Sequence, residues 1–215
     1  MPPLAAPEAL LLLSSHCPHC PAMIALLVDL VKAGRLARLE LVNVEVRPDQ
    51  AEALGARSVP WVRIGEFDLP GVRSREEILD WIDRVGRSEG MADYFHALLR
   101  DGHLAQVLDL VRQRPATLAA LLPIVANPEA SINVRIGAGA VFEEFSGQPA
   151  LHALVDGLTK LARHPDARVR ADACHYLGLA RTEAARAGLA LCRQDDDAAV
   201  REIAEESLAA LDSVE

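Results

Sequence analysis

The first 86 residues mix short apolar runs of strand length with segments of helical spacing. Residues 9–14 are dominated by leucine and are followed at once by turn and cap residues, which is typical of a buried strand. A helix is predicted next, because apolar side chains recur at i, i+3, i+4 and i+7: Ile24, Leu27, Val28 and Val31. Gly34 follows where a helix C-cap is expected.

The rest of this region predicts three more strands and two more helices. Four elements come in order, at residues 39–46 (strand), 48–54 (short helix), 61–64 (strand) and 67–69 (strand). Gly65-Glu66 between the last two is a hairpin signal. Ser74 and Glu77 form a capping box that opens a final helix. The order β-α-β-α-β-β-α predicts an α/β domain with a four-stranded mixed sheet covered by helices.

The pattern changes at residues 86–90, after which one helical segment follows another. Three segments share a cap residue, a Val-Arg pair and an alanine, and they lie at residues 131–138, 166–173 and 197–204. Their valines are 35 and 31 residues apart, which is the period of a helical-hairpin solenoid. We therefore expect two domains, an α/β domain at residues 1–88 and an all-α repeat domain at residues 89–215.

Charge and composition exclude several classes of protein. The formal net charge is -9, which argues against a nucleic-acid partner and against an anionic membrane surface. The apolar run near the start is far shorter than the roughly 20 residues of a membrane helix. The first positive charge, Lys32, lies well beyond that run, unlike the basic start of a secretory signal. We expect a cytoplasmic protein that binds neither nucleic acid nor membrane.

Candidate chemistry lies at the first strand-to-helix junction, in Cys17-Pro18-His19-Cys20. Cys17 is expected at the helix N-cap, where unpaired N–H groups and the helix dipole favour a thiolate over a thiol. Pro18 then occupies the first helical position, where its missing N–H costs no hydrogen bond. His19 is expected to stabilise the thiolate further, which makes the pair a stronger oxidant. Cys20, one turn inside, is placed to resolve a mixed disulfide on Cys17.

These residues resemble the thioredoxin fold family, in the Cys-Pro-His-Cys variant found in oxidising, DsbA-type members. The likeness covers residues 7–86 in a compact, glutaredoxin-sized form, and its second half is the segment 57–71, which contains Val59-Pro60. It implies a cis Val59-Pro60 bond, with Pro60 packing beside Cys17 and the local backbone binding an extended substrate as an added strand.

That resemblance implies a thiol-disulfide oxidoreductase that needs no cofactor. Its partners would be protein disulfides or dithiols, and its reductant either a thioredoxin reductase or the glutathione system. The chain departs from thioredoxins at three places. His16 replaces an aromatic residue, Pro21 replaces a basic residue, and the leucines of the first strand replace a buried aspartate that assists proton transfer.

A metal site competes for the same residues, because His16, Cys17, His19 and Cys20 are all metal-ligand types. Four ligands within five residues do not readily converge into a closed tetrahedron, and structural zinc sites usually bring a second distant pair. We therefore expect no metal ligands, with a metal site in one chain or a cluster shared by two chains as the weaker alternative. For His16, a solvated loop side chain is as good an interpretation as a catalytic role.

The helical part resembles short HEAT-like repeats of the kind seen in phycobilisome-lyase relatives. Two i, i+4 ion pairs are expected, Asp166 with Arg170 and Asp197 with Arg201. The family uses such residues as a structural ladder between repeats, which implies structural arginines here. Cys174 and Cys192 are expected as small core residues, with a second redox pair as the alternative.

Two functions of different class remain. In the first, Cys17 attacks a disulfide, Cys20 resolves it, and the helical domain selects a protein partner. In the second, the protein is a helical-repeat adaptor whose thioredoxin-like domain is a binding or metal-handling module without turnover. The intact cysteine pair together with Val59-Pro60 favours the first function.

Overall fold

The computed structural model of the protein describes residues 6–87 and 89–212. The chain divides into two compact units, Met1–Gly90 and Met91–Glu215. None of the helices in the described ranges combines the length and the apolar composition that a membrane crossing requires.

The first unit is a four-stranded mixed sheet with three helices, as predicted. Its elements are β1 (Glu8–Leu13), α1 (Cys20–Lys32), β2 (Arg38–Asn43), α2 (Pro48–Ala53), β3 (Trp61–Ile64), β4 (Phe67–Pro70) and α3 (Arg75–Arg84). The strand order is β2-β1-β3-β4. β1 runs parallel to β2 and antiparallel to β3, and β3 and β4 form the expected hairpin.

The leucine-rich run of β1 reflects its position inside the sheet. Leu11 and Leu12 are both 0% exposed although successive side chains of a strand point to opposite faces. Both faces of β1 are therefore covered, which explains why its sequence shows no alternation of apolar and polar residues.

Local signals mark the helix ends of this unit. Gly34, at a φ of 71°, follows α1 and donates its N–H to the carbonyl of Val31 at 3.0 Å. A left-handed φ favours glycine, which allows the chain to turn sharply into β2. At the start of α3, the N–H of Glu77 donates to Ser74 Oγ and the N–H of Ser74 donates to Glu77 Oε2. The predicted capping box is thus confirmed.

The second unit is helical throughout its described residues. Its elements are α4 (Gly90–Arg100), α5 (Leu104–Gln113), a 3-10 helix (Pro115–Leu121), α6 (Leu122–Val125), α7 (Ile132–Glu144), α8 (Pro149–His152), α9 (Val155–Leu161), α10 (Ala167–Ala180), α11 (Glu183–Cys192) and α12 (Ala198–Asp212). The three repeated motifs open α7, α10 and α12. The chain between α7 and α10 forms two short helices, α8 and α9, instead of one continuous helix, because the N–H of Leu154 bonds to the carbonyl of Leu151 in a tighter i, i+3 turn between them.

Small residues allow the repeat helices to approach one another. Ala138, Ala173 and Ala204 occupy the same place in the three motifs and are 1%, 0% and 0% exposed. α10 packs against both α11 and α12. A Cβ on Gly178 of α10 would lie 2.7 Å from the Ser207 side chain of α12, so this approach requires glycine.

The expected ladder between repeats is present, but its pairing differs from the prediction. Arg170 donates to Asp195 through Nε and Nη2 at 2.7 and 2.8 Å, and Arg135 pairs with Asp172. The i, i+4 pair of Asp166 with Arg170 was the wrong prediction, because Asp166 instead caps α10 by accepting from the N–H of Arg168.

The same correction applies to the third motif. Asp197 accepts from the N–H of Ala199 at the start of α12. The Arg201 guanidinium therefore bonds to backbone oxygens, and Nη1 donates to the carbonyls of Asp195 and Asp196 at 2.6 and 2.9 Å. A carboxylate at a helix N-cap is drawn to the unpaired N–H groups of the first turn, which removes it from the arginine one turn further on.

Candidate redox site

Cys17 and Cys20 are joined by a disulfide, with their Cα atoms 5.5 Å apart. Cys17 lies in the loop that connects β1 to α1, and Cys20 is the first residue of α1. Cys20 is only 2% exposed, whereas Cys17 is half-buried. The two sulfurs therefore differ in access, and Cys17 is the one that a bulky reagent meets first.

The helix starts later than the sequence predicted. Its N-cap is His19, so the expected positions of Cys17 at the N-cap and of Pro18 at the first helical position are wrong. The reason is Pro21, which lacks the N–H that would have bonded to the carbonyl of Cys17. The first such bond at this end joins the N–H of Met23 to the carbonyl of His19, at 3.4 Å.

The sulfur of Cys17 nevertheless accepts a hydrogen bond from the helix end. The N–H of Cys20 points at Cys17 Sγ at 3.1 Å. This N–H belongs to the first turn of α1, whose donors have no partner within the helix. A negative charge on the sulfur would be stabilised both by this donor and by the helix dipole.

Pro18 and His19 lie on the surface of the loop. Both are exposed, and the His19 side chain makes no capping hydrogen bond. The effect of His19 on the Cys17 sulfur stays a prediction.

The cis peptide bond expected from the family resemblance is confirmed between Val59 and Pro60. Pro60 is buried, Val59 is partly exposed, and the carbonyl of Pro60 accepts from the N–H of Gly71 at 2.9 Å. Trp61 pairs with Leu12 across β3 and β1. This antiparallel register brings the Val59-Pro60 segment to the end of β1 from which the Cys17 loop departs.

A group of polar side chains beside this loop was missed by the sequence analysis. Asn43 Nδ2 donates to Ser15 Oγ at 3.0 Å, and His16 Nδ1 lies 3.2 Å from Glu45 Oε1. Hydrogen bonds from Ser15 and His16 lower the pKa of the Glu45 carboxyl below its usual value. The pairing of the first two strands is the signal that would have found these contacts, because β1 and β2 are parallel and their carboxyl ends lie at the same edge of the sheet.

The first unit places its buried carboxylate away from the cysteine pair. Asp68 is 7% exposed and accepts from Arg63 Nε and Nη2 at 2.6 and 2.9 Å. Both residues lie beside the β3–β4 turn, at the opposite end of β3 from Pro60. β1 itself carries leucine at positions 10–13, as the sequence shows.

Cys174 and Cys192 lie in the second unit and are core residues, as expected, at 0% and 1% exposure. Their sulfurs are bonded to one another, so they are not free thiols. The antiparallel packing of α10 and α11 brings them together, with Cα atoms 6.7 Å apart. Among the described residues, no group of three or more His, Cys, Asp or Glu side chains is arranged to hold a metal ion.

Comparison with known families agrees with this geometry. Residues 9–83 match the model of a thioredoxin domain, and residues 118–209 match that of HEAT repeats. No curated protein matches the chain. The protein is thus built from a thioredoxin-like domain that carries a close cysteine pair, followed by a scaffold of HEAT repeats.

Proposed function

We propose that the protein is a thiol-disulfide oxidoreductase that acts on protein substrates through Cys17 and Cys20. The observation that carries this proposal is the asymmetry of the pair. Cys17 is accessible and its sulfur accepts the N–H of Cys20, whereas Cys20 is 2% exposed. An accessible, stabilised thiolate beside a buried partner is the arrangement that disulfide exchange requires.

In the reducing direction, the Cys17 thiolate attacks one sulfur of a substrate disulfide. The substrate S–S bond breaks, its second sulfur leaves as a thiolate, and a mixed disulfide forms on Cys17. Cys20 then loses its proton and attacks Cys17 Sγ, which releases the first substrate sulfur and forms the Cys17–Cys20 disulfide. The substrate gains two electrons and the pair loses two. The oxidising direction is the reverse.

The N–H bond to Cys17 favours the oxidising direction. It stabilises the thiolate, and a pair whose reduced form is stabilised is a stronger oxidant. Residues 10–13 of β1 are leucines, so this part of the strand offers no carboxylate to take the Cys20 proton during reduction.

Val59 and Pro60 are the proposed substrate-binding residues. The backbone of Val59 makes no hydrogen bond to the other described residues, and its side chain is only partly exposed. An extended substrate would pair with this free backbone as an added strand, which presents its disulfide to Cys17.

The HEAT repeats are proposed to select the protein partner. Repeat scaffolds of this kind form extended binding surfaces. α7 exposes two isoleucines one helical turn apart, Ile132 at 68% and Ile136 at 65%. Exposed apolar side chains of this size suit contact with another protein.

The test is a trap for the mixed disulfide. Cys20→Ser removes the resolving sulfur, so partners should stay bound to Cys17 through a bond that dithiothreitol releases. The matched control is Cys17→Ser/Cys20→Ser, which retains Cys174 and Cys192 and so reports any background from them. If both variants retained the same proteins, or if the wild-type pair did not exchange with glutathione, the oxidoreductase proposal would be wrong and a non-turnover adaptor would replace it.

A further inference from the structure

Four residues tie the loop before Cys17 to the chain that follows β2, and we call them the loop clasp: Ser15, His16, Asn43 and Glu45. Asn43 Nδ2 donates to Ser15 Oγ at 3.0 Å, and His16 Nδ1 lies 3.2 Å from Glu45 Oε1. Two members of the clasp are also bonded to each other, since the N–H of Glu45 donates to Asn43 Oδ1 at 2.9 Å.

The clasp holds the segment directly before the reactive sulfur. Leu13, the last residue of β1, pairs with Asn43, and its carbonyl accepts from the N–H of Val44 at 2.9 Å. The N–H of Cys17 donates to the carbonyl of Ser14 at 3.3 Å. The chain between these two backbone bonds contains Ser15 and His16, whose side chains contact Asn43 and Glu45.

We propose that Glu45 is a positioning residue for the Cys17–Cys20 pair. By holding Ser15 and His16, it keeps Cys17 Sγ within reach of the Cys20 N–H and so raises the reduction potential of the pair. This inference rests on the proposed function, since it concerns the same cysteines.

Position, and not the strength of an ion pair, is the basis of the effect. The His16 and Glu45 side chains are 92% and 42% exposed, and ion pairs with this exposure contribute little to stability. His16 Nδ1 lies 3.2 Å from the Glu45 carboxylate, and hydrogen bonds from Ser15 and His16 lower the pKa of that carboxyl. A carboxylate with donors from adjacent loop residues restrains both of them at once.

The negative charge of Glu45 has the opposite effect on the reduction potential to the restraint. Variants can therefore distinguish the effect of the charge from that of the restraint. A nearby negative charge disfavours a thiolate, so loss of the charge alone would stabilise the reduced pair. Loss of the restraint would weaken the Cys20 N–H bond to Cys17 and would stabilise the disulfide. Glu45→Ala removes charge and restraint, whereas Glu45→Gln removes the charge and retains an acceptor for Ser15 and His16.

The experiment measures the equilibrium of the full-length protein with glutathione. Samples are quenched with acid, alkylated and cut with trypsin. The first basic residue is Lys32, so one peptide that ends there contains both cysteines, and its mass gives the reduced fraction without interference from Cys174 and Cys192. The variants are Glu45→Ala, Glu45→Gln, Ser15→Ala and the double variant Ser15→Ala/Glu45→Ala. Glu40→Ala, which removes an exposed carboxylate of β2, is the matched control.

We expect Glu45→Ala to lower the equilibrium constant for reduction by about 3-fold, which is about 14 mV for a two-electron couple. Ser15→Ala should shift it in the same direction, and the double variant should add little, because both changes release the same restraint. Glu40→Ala should stay near wild type, and Glu45→Gln, which loses only the charge, should stay near wild type or raise the reduced fraction. Should Glu45→Gln match Glu45→Ala, or should Glu45→Ala raise the reduced fraction, positioning by Glu45 would be refuted while the oxidoreductase proposal stood. A wild-type pair that never exchanged with glutathione would overturn both.

Discussion

Cys20 donates its backbone N–H to the sulfur of Cys17 at 3.1 Å even though Cys17 lies outside the helix. The stabilising contact that the sequence argument placed at the N-cap is thus retained in another form. The donor comes from the first turn of α1, and the acceptor reaches it across the Pro18-His19 turn. The helix end therefore stabilises a negative charge on Cys17 even though the helix starts later than predicted.

Alkylation should distinguish the two cysteines of the reduced protein. Cys17 is the accessible member and accepts the Cys20 N–H, so it should react at least about tenfold faster at neutral pH. Timed quenching, followed by fragmentation of the labelled peptide ending at Lys32 to locate the label, gives both rates. Equal rates would remove the asymmetry on which the exchange mechanism rests.

His19→Ala should lower the reduction potential of the pair. The prediction rests on the position of the imidazole in the loop between the cysteines, from which an N–H or a positive charge would stabilise the thiolate, so its loss would favour the disulfide. For a two-electron couple, each 30 mV corresponds to about 1.4 kcal/mol. Glutathione equilibration measures the change, with Arg35→Ala, beyond the C-terminal end of α1, as the control. An unchanged or raised potential would mean that His19 does not tune the pair.

Cys174→Ala/Cys192→Ala should destabilise the helical unit by about 2–4 kcal/mol, as removal of a disulfide with a short loop does. Both sulfurs are buried and join α10 to α11. Thermal unfolding without reductant measures the loss, and Cys17→Ser/Cys20→Ser is the matched control because its sulfurs lie in the other unit. If both double variants lowered the melting temperature equally, the Cys174–Cys192 disulfide would have no specific role in stabilising the helical unit.

The Cys174–Cys192 disulfide offers a test of the cytoplasmic location, which stays a prediction. Stable disulfides persist in oxidising compartments and are rare in the reducing cytoplasm. Mass mapping of the protein from its native cells, alkylated during lysis, should find Cys174 and Cys192 as thiols if the cytoplasmic prediction holds. Recovery of the pair as a disulfide would contradict that prediction.

Arg170→Ala should destabilise the repeat unit by about 1–3 kcal/mol, because Arg170 makes two hydrogen bonds to the Asp195 carboxylate. Arg170 lowers the pKa of Asp195 below its usual value. The contribution of this pair is therefore present above the unfolded pKa of about 4 and is lost as the pH falls through the lower folded pKa. Denaturant unfolding at pH 7 and pH 3 measures both effects. Arg168→Ala, which removes a more exposed pair with Asp166, should cost less.

A fragment of residues 1–90 should fold alone and exchange with a small generic disulfide at nearly the rate of the full chain. It contains the complete sheet, both cysteines and Pro60. Its reaction with proteins recovered by the Cys20→Ser trap should be slower, because the HEAT repeats supply binding energy away from the reacting sulfur. If the fragment reacted equally more slowly than the full chain with both substrates, the helical unit would be part of the active site. The proposal that the HEAT repeats select the protein partner would then be wrong.

Much of the fold could be read from short-range patterns. The leucines of β1, the Gly65-Glu66 turn and the Ser74–Glu77 capping box each specify local structure through residues that are neighbours in sequence. The repeat period was readable for the same reason, since three motifs place the same small residues at the same helical positions. The cysteine pair was also visible, because its chemistry lies within four consecutive residues.

Tertiary structure decided which distant groups meet. Arg170 bonds to Asp195 across repeats because Asp166 is occupied at its own helix end, and Cys174 meets Cys192 because α10 and α11 pack as a hairpin. Glu45 reaches the Cys17 loop because β1 and β2 are parallel and end at one edge of the sheet. Periodicity and capping are properties of neighbouring residues, whereas these contacts depend on how whole elements are placed, and that placement is set by the packing of the core.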